Sequence, residues 1–320
     1  MKQEIFEQKH GASWQAFEEQ LAELARPNRK KDTEKIKNFP GAYRGLCKHL
    51  ALAGDRRYSS FLAERLNRLV LKAHQAIYRS NSAGRYRFLH FFGHDFPRAV
   101  RREARLFWLC SLLFYGPLFG MITAIHFNPE IVYSLLSPEM VDQMETMYNP
   151  SEKEGREAGS DIMMFGFYIR NNIGIGFRTF AGGLFCGLGS LFFLVFNGLF
   201  LGAVFGHLLN TDFAENLLTF AAGHGSFELT AIVLAGVAGF RLGLAILIPG
   251  NLTRKQALAR AGQSALPIVY GMTVMLLVAA FIEAFWSPRL LPSQVKYTVG
   301  AGLWLVVGAY FTLGGRRFGN

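Results

Sequence analysis

The feature that most constrains this chain is a stretch of 33 residues between Arg178 and Asp212 that contains no Asp, Glu, Lys or Arg. As one helix it would be roughly 50 Å long at 1.5 Å per residue, which exceeds the roughly 30 Å hydrocarbon core of a bilayer. The residues just before it are also mostly apolar. The whole region therefore predicts two membrane crossings, 162–181 and 184–206, joined by a turn at Gly182 and Gly183.

Four further stretches are long and apolar enough to cross a membrane, which takes about 20 predominantly apolar residues. They are 106–126, 224–248, 264–285 and 297–315. Together, these stretches predict an all-α fold, a polytopic bundle of about six transmembrane helices within residues 106–315. The second helix is a candidate for a broken or re-entrant span, because Arg170, Asn171 and Asn172 fall inside it.

The first third of the chain differs from the rest in charge. Residues 1–105 hold 22 basic and 11 acidic side chains, whereas residues 106–320 hold 12 of each. Apolar residues at helical spacing predict three helices here, over 3–25, 32–53 and 55–80. The predicted domains are a cytoplasmic helical domain (1–83), an interfacial amphipathic segment (84–105), the transmembrane domain (106–315) and a cytoplasmic tail (316–320).

The basic charge of the N-terminal third suits a surface beside anionic lipid. No nucleic-acid-binding motif accompanies this charge, so the lipid bilayer is an expected partner and nucleic acid is not. In segment 84–105, aromatic and basic residues alternate as in a helix that lies among lipid headgroups. His90 and His94 have the spacing of metal ligands on a helix, but an interfacial elbow is the preferred interpretation.

Charge asymmetry favours six spans over five, because cytoplasmic loops carry an excess of Lys and Arg. With six spans, loop 127–161, which holds 8 acidic and 2 basic side chains, faces outward. Both termini are then cytoplasmic. If 162–206 were a single span, the basic residues that follow it would face outward: Arg254, Lys255, Arg260, Arg316 and Arg317.

A few polar side chains fall within or beside the predicted spans, where a charge costs about 2.5–3.5 kcal/mol on insertion scales. They are candidates for function or helix pairing: Arg170, Asn171, Asn172, Asn197, His224, Glu228 and Arg241. Depth along the helices favours an ion pair between Arg170 and Glu228, whereas Arg241 is expected to extend toward the cytoplasmic headgroups. The ion pair is equally compatible with locked helix packing and with transport or partner binding.

His224 and Glu228 share one helix face at spacing i,i+4, and with His207 they are weak candidates for a metal site. Catalytic zinc takes three protein ligands and a water, but helix capping or hydrogen bonding is the preferred role of His224. No metal or cofactor is expected. No Walker loop, G-x-S-x-G or H-E-x-x-H motif is present, so the chain is expected not to be an enzyme.

Small residues recur every four positions on two of the predicted spans. They are Gly198, Gly202 and Gly206 on one span, and Ala235, Gly239 and Gly243 on the other. Faces of this kind let two helices approach closely. They fit either the interior of the bundle or the seam of a homo-oligomer, and the sequence leaves both open.

Three stretches carry a resemblance to a known family: R-N-N (170–172), F-N-G-L-F-L-G-A (196–203) and the segment 223–243 with its H-G-x-x-E-L-x-A core. Over about residues 105–315 the chain resembles the stage II sporulation protein M family. Its long basic N-terminal segment is similar to that of the longer, non-sporulation members. The resemblance implies a polytopic protein of the bacterial cytoplasmic (inner) membrane. It also implies that Asn171, Asn172, Asn197, His224 and Glu228 belong to a functional core.

The same resemblance points to envelope biology. The sporulation member acts as a membrane scaffold for peptidoglycan-degrading enzymes, and longer relatives are found beside MoxR-type ATPases. The leading hypothesis is therefore a non-enzymatic scaffold or assembly partner for envelope or peptidoglycan-remodelling proteins. A channel or transporter with a polar intramembrane site is the alternative, and an intramembrane metal-dependent hydrolase is a third hypothesis.

Overall fold

The computed structural model describes residues 2–25, 33–78, 81–149 and 158–316, which form helices and no strand. The chain divides into two compact units, residues 1–89 and residues 90–320. In the first unit, α1 spans Gln3–Ala25, α2 Thr33–Asp55 and α3 Ser60–Tyr78. The N-terminal helical domain that the periodicity predicts is therefore confirmed.

The N-terminal unit has its own hydrophobic core. Its buried residues include Phe6, Trp14, Phe17 and Leu66. The indole of Trp14 donates a hydrogen bond to Nδ1 of His49 over 3.1 Å. Burial, and secondarily the charge of His10, lowers the pKa of His49, which keeps this imidazole neutral and able to accept the bond. The three helices thus pack around a core of aromatic and aliphatic side chains.

The second unit contains the apolar helices. The unit begins at the last residue of α4 (Asn81–His90) and continues through a π-helical turn (Phe91–Asp95) and α5 (Phe96–Arg102). The helices that follow are α6 (Ala104–Phe127), α7 (Pro138–Tyr148), α8 (Ala158–Ala181), α9 (Leu188–Leu209), α10 (Ala214–Leu247), α11 (Arg254–Phe285) and α12 (Ser293–Leu313). A 3₁₀ turn, Pro129–Ser134, precedes α7. Helix α10 is central and contacts α6, α8, α9, α11 and α12.

Four helices within the described part of the chain are long and apolar enough to cross a membrane: α6, α9, α10 and α11. The sequence predicts six spans, and the other two correspond to α8 and α12. These helices are less apolar, because α8 carries Asp161, Arg170 and Arg178 and α12 begins with polar residues including Lys296. The protein is thus an all-helical membrane protein with four clear spanning candidates rather than six.

The long uncharged region is interrupted where the sequence predicts it. Helix α8 ends at Ala181, a 3₁₀ turn follows over Gly182–Leu184, and α9 begins at Leu188. A Cβ on Gly183 would overlap the backbone carbonyl of Gly239 on α10, so this turn lies directly against α10. Helix α8 itself is continuous through residues 170–172, and the suggested break in it is therefore wrong.

The glycine-rich faces pack against other helices of the same bundle. Gly198 and Gly202 on α9 lie against the backbone of α6, where a Cβ on either would overlap a carbonyl group. Gly239 and Gly243 on α10 lie against residues of the α8–α9 turn and the start of α9. Both faces therefore belong to the bundle interior. A homo-oligomer stays a prediction that needs another surface.

The region predicted as an interfacial segment is partly built into the bundle. Phe96, Pro97 and Val100 of α5 are buried, and a Cβ on Gly271 of α11 would overlap the ring of Phe96. Arg101 donates a hydrogen bond over 2.9 Å to the carbonyl of Phe311 on α12. Helix α5 therefore anchors the start of the bundle to α11 and α12.

Candidate functional site

Helix α10 brings the H-G-x-x-E core against the end of α11. Gly223 allows this approach, because a Cβ there would overlap the ring of Trp286, which directly follows α11. The next residue, His224, is 6% exposed and packs edge-on against Phe220 at a centroid distance of 5.4 Å. One helical turn later, Glu228 points to the same side. The glycine thus sets how closely His224 and Glu228 lie to α11.

Three potential metal ligands converge at this point: His224, Glu228 and Glu283 of α11. One ligand atom from each lies within 4.8 Å of the other two. Nε2 of His224 is 3.7 Å from Oε2 of Glu228, which is too long for a hydrogen bond. We refer to His224, Glu228 and Glu283 as the carboxylate–histidine cluster.

Neighbouring polar groups orient two members of the cluster. Nδ1 of His224 and the hydroxyl of Ser287 form a hydrogen bond of 3.1 Å. The amide of Asn172 on α8 donates to the carboxylate of Glu283 over 3.2 Å, and the Asn171 amide donates to Asn172 over 3.3 Å. The arrangement fixes the imidazole so that Nε2 faces Glu228, and it places Glu283 beside α8.

The cluster opens onto a cavity of about 530 Å³. Its polar lining includes Asn171, Asn172 and the three cluster residues, and its aromatic lining consists of Tyr148, Phe167, Tyr168, Phe205, Phe220, Tyr297 and Trp304. No Lys or Arg among the described residues forms an ion pair with Glu228 or Glu283. Two carboxylates thus share a cavity between apolar helices without a Lys or Arg partner among the described residues.

The other sequence-predicted residues lie elsewhere. Arg170 is on the exposed side of α8 and makes no ion pair with Glu228, so the predicted Arg170–Glu228 pair is wrong. Asn197 donates to the carbonyl of Phe193 in its own helix over 2.6 Å. His207 bonds Glu145 of α7 over 2.7 Å and lies outside the cluster. None of these three side chains lines the cavity.

Arg241 is also remote from the cavity. Its Nε lies 3.3 Å from a carboxylate oxygen of Glu103, just before α6. The sequence predicts that Arg241 extends toward the lipid headgroups. In the structure it instead joins the last turns of α10 to the start of α6. We therefore assign this contact a role in holding α10 against α6.

Sequence reasoning missed Glu283, Ser287 and Tyr148. Glu283 was detectable, because it is the only Asp, Glu, Lys or Arg in 264–285, and an ionisable residue within a span marks a functional candidate. Ser287 and Tyr148 carry no such signal. Only the packing of α7 and of the residues after α11 against α10 places them near the cluster.

A second group of ligating side chains lies at the π-helical turn. Nδ1 of His90 and Nδ1 of His94 each lie 3.2 Å from a carboxylate oxygen of Asp95. His90 and Asp95 are exposed and His94 is half-buried. Each imidazole therefore has a hydrogen-bonding partner in Asp95, and no bound ligand is needed to explain the arrangement.

The fold and the cavity define a polytopic helical membrane protein with a polar site between its helices. The stage II sporulation protein M family profile matches residues 109–288, and the chain belongs to this family. A domain of unknown function matches residues 4–79. An uncharacterized protein of Methanocaldococcus jannaschii is 27% identical over 124 residues, which cover 38% of this chain and 70% of that protein. No solved structure matches the chain.

Proposed function

We propose that this protein is a transporter-type membrane protein that binds a cation in the cavity of the carboxylate–histidine cluster. The observation that carries the proposal is the pair Glu228 and Glu283, which share the cavity without an ion pair to any described Lys or Arg. Ionisable residues at membrane depth are expensive and commonly mark ion paths. A bound cation offsets the negative charge that these carboxylates carry when ionised, and a cavity gives it access.

The proposed topology has six spans, with both termini cytoplasmic and residues 127–161 outside. Contacts between helix ends support it, because they fall into two sets that alternate along the chain. One set joins Glu103 to Arg241 and Arg101 to the carbonyl of Phe311. The other joins Asp161 to Arg289, His126 to Asn210 and Glu215 to Ser293. In this topology the first set is cytoplasmic, and α8 and α12 cross the membrane beside the four more apolar helices.

A second candidate function is the scaffold. The observation that favours it is the N-terminal unit, which has its own hydrophobic core. In this proposal the unit is a docking domain for envelope or peptidoglycan-remodelling proteins, or for a MoxR-type ATPase system. Crosslinking followed by purification in mild detergent tests it. A chain without residues 2–89 that retains every crosslinked partner contradicts a docking role for this unit.

Cation flux into liposomes containing the purified protein tests the transporter proposal. Proton, sodium and zinc gradients are applied in turn, with an indicator dye inside the vesicles. We expect flux of at least one cation, and we expect Glu228→Gln and Glu283→Gln each to reduce it at least tenfold. Glutamine keeps the size of the side chain but removes the charge that attracts the cation.

The matched control is Glu139→Gln, an exposed carboxylate of α7 outside the cavity. This variant should transport at the wild-type rate. Flux that survives both cavity substitutions would contradict the proposed path through the cluster. Absence of flux for all three cations, with correctly folded protein in the vesicles, would favour the scaffold.

A further inference from the structure

We propose that the carboxylate–histidine cluster is a binding site for a divalent transition metal ion of the zinc class. His224 supplies Nε2, and Glu228 and Glu283 supply one carboxylate oxygen each. This inference rests on the proposed function in that it names the cation class for the same cavity. Metal binding and transport are nevertheless separate properties, and separate measurements detect them.

The spacing of the three donor atoms is close to that of a metal site. They lie within 4.8 Å of one another, whereas ligands at roughly 2.1 Å from a tetrahedral zinc ion lie about 3.4 Å apart. The His224–Glu228 distance of 3.7 Å already approaches this value. We expect side-chain rotations of Glu228 and Glu283 to bring the three donor atoms to this separation around a bound ion.

The hydrogen bonding of the cluster is incomplete in the way an ion site requires. Among the described residues, the Glu228 carboxylate accepts no hydrogen bond, and its Oε2 lies 3.7 Å from Nε2 of His224. Glu283 accepts one bond, from Asn172. Glu228 and Glu283 are half-buried, and a carboxylate withdrawn from water needs a partner for its charge. A cation at the centre of the three donors satisfies all of them at once.

The donor types select the class of metal. Magnesium and calcium prefer oxygen ligands alone, whereas one imidazole with two carboxylates suits zinc, manganese, iron or cobalt. Ligating histidines generally use their second ring nitrogen in a hydrogen bond that fixes the ring. The Ser287 hydroxyl provides this bond to Nδ1 of His224, and Asn172 provides the corresponding contact for Glu283. The cavity leaves room for a water or a substrate group as a further ligand.

Titration of the full-length protein with zinc chloride tests the site. The protein is purified in detergent with a tag that contains no histidine, stripped with a chelator, and titrated in a calorimeter. Metal content after dialysis is then measured by mass spectrometry. We expect a component of one zinc ion per chain that weakens at least tenfold in Glu228→Gln and in Glu283→Gln. Both substitutions preserve side-chain volume, and melting curves establish that each variant is folded.

Two controls separate this component from other histidines. His207→Gln removes the imidazole that bonds Glu145, and His94→Asn removes one member of the His90, His94 and Asp95 group at the π-helical turn. Neither should change the Glu228-dependent component. Zinc binding that is absent, or that is equal in wild type, Glu228→Gln and Glu283→Gln, overturns the inference.

The outcomes distinguish this inference from the transporter proposal. Stoichiometric zinc that depends on Glu228 and Glu283, without flux of any cation, upholds the metal site and contradicts transport. Glu228-dependent flux of protons or sodium by a protein that binds no zinc upholds transport and overturns the metal site.

Discussion

Gly239→Ala should destabilise the membrane unit by about 1–3 kcal/mol, the usual cost of overpacking a close-packed interior. The new Cβ would overlap the hydroxyl of Ser190 and lie 2.9 Å from the carbonyl oxygen of Phe180. Ser190 cannot easily turn away, because its hydroxyl is buried and donates over 2.7 Å to the carbonyl of Thr179. We expect the melting temperature in detergent to fall by roughly 2–10 °C, measured by size-exclusion chromatography after heating.

Gly308→Ala is the matched control for this substitution. Gly308 lies in α12, and a Cβ there meets nothing within 4 Å. Because alanine favours a helix over glycine by about 1 kcal/mol, the control should melt at the wild-type temperature or slightly above. Equal losses in both variants would contradict the close packing of α10 against the α8–α9 turn.

Cysteine labelling from outside intact cells should give an all-or-none result. After Cys47, Cys110 and Cys186 are replaced by serine, single cysteines are introduced by Glu139→Cys and Lys255→Cys, both at exposed positions. A membrane-impermeant maleimide should modify the first and leave the second unmodified. The physical reason is the excess of basic residues in cytoplasmic loops, which places Lys255 inside.

Permeabilised cells provide the control, because there the reagent should modify both cysteines. Labelling of Lys255→Cys in intact cells would contradict six spans with cytoplasmic termini. It would then favour a chain in which residues 162–206 cross the membrane once.

Local sequence patterns predict much of the helical architecture. The first N-terminal helix, expected over 3–25, is Gln3–Ala25, and the turn at Gly182 and Gly183 lies where the uncharged stretch predicts it. These features follow from the hydrophobic periodicity, the length of the apolar stretch and the position of the glycines, all of which are local properties of the sequence. Helices α8 and α12 are harder to assign as membrane spans, because their polar residues reduce the hydrophobic signal on which a span assignment rests.

The site is only partly predictable, because it depends on how separate helices face one another. His224 and Glu228 are recognisable as a pair on one helix face, and the structure places them together at the cavity. Depth along the helices pairs Arg170 with Glu228, but depth does not say which way each helix face points. In the structure Arg170 lies on the exposed side of α8. Asn172, two residues later, lies on the buried side and contacts Glu283 instead.

The most direct test of the account is whether Glu228 and Glu283 act as one site. The measurement is a double-mutant cycle of melting temperatures in metal-free buffer, using wild type, Glu228→Gln, Glu283→Gln and the double variant. At a pH where both carboxylates are ionised, either single substitution removes the repulsion between them. Each should therefore raise the melting temperature, and the double variant should gain less than the sum, with a coupling energy of about 0.5–3 kcal/mol. Additive shifts would show that the two carboxylates do not interact, and would contradict the shared site.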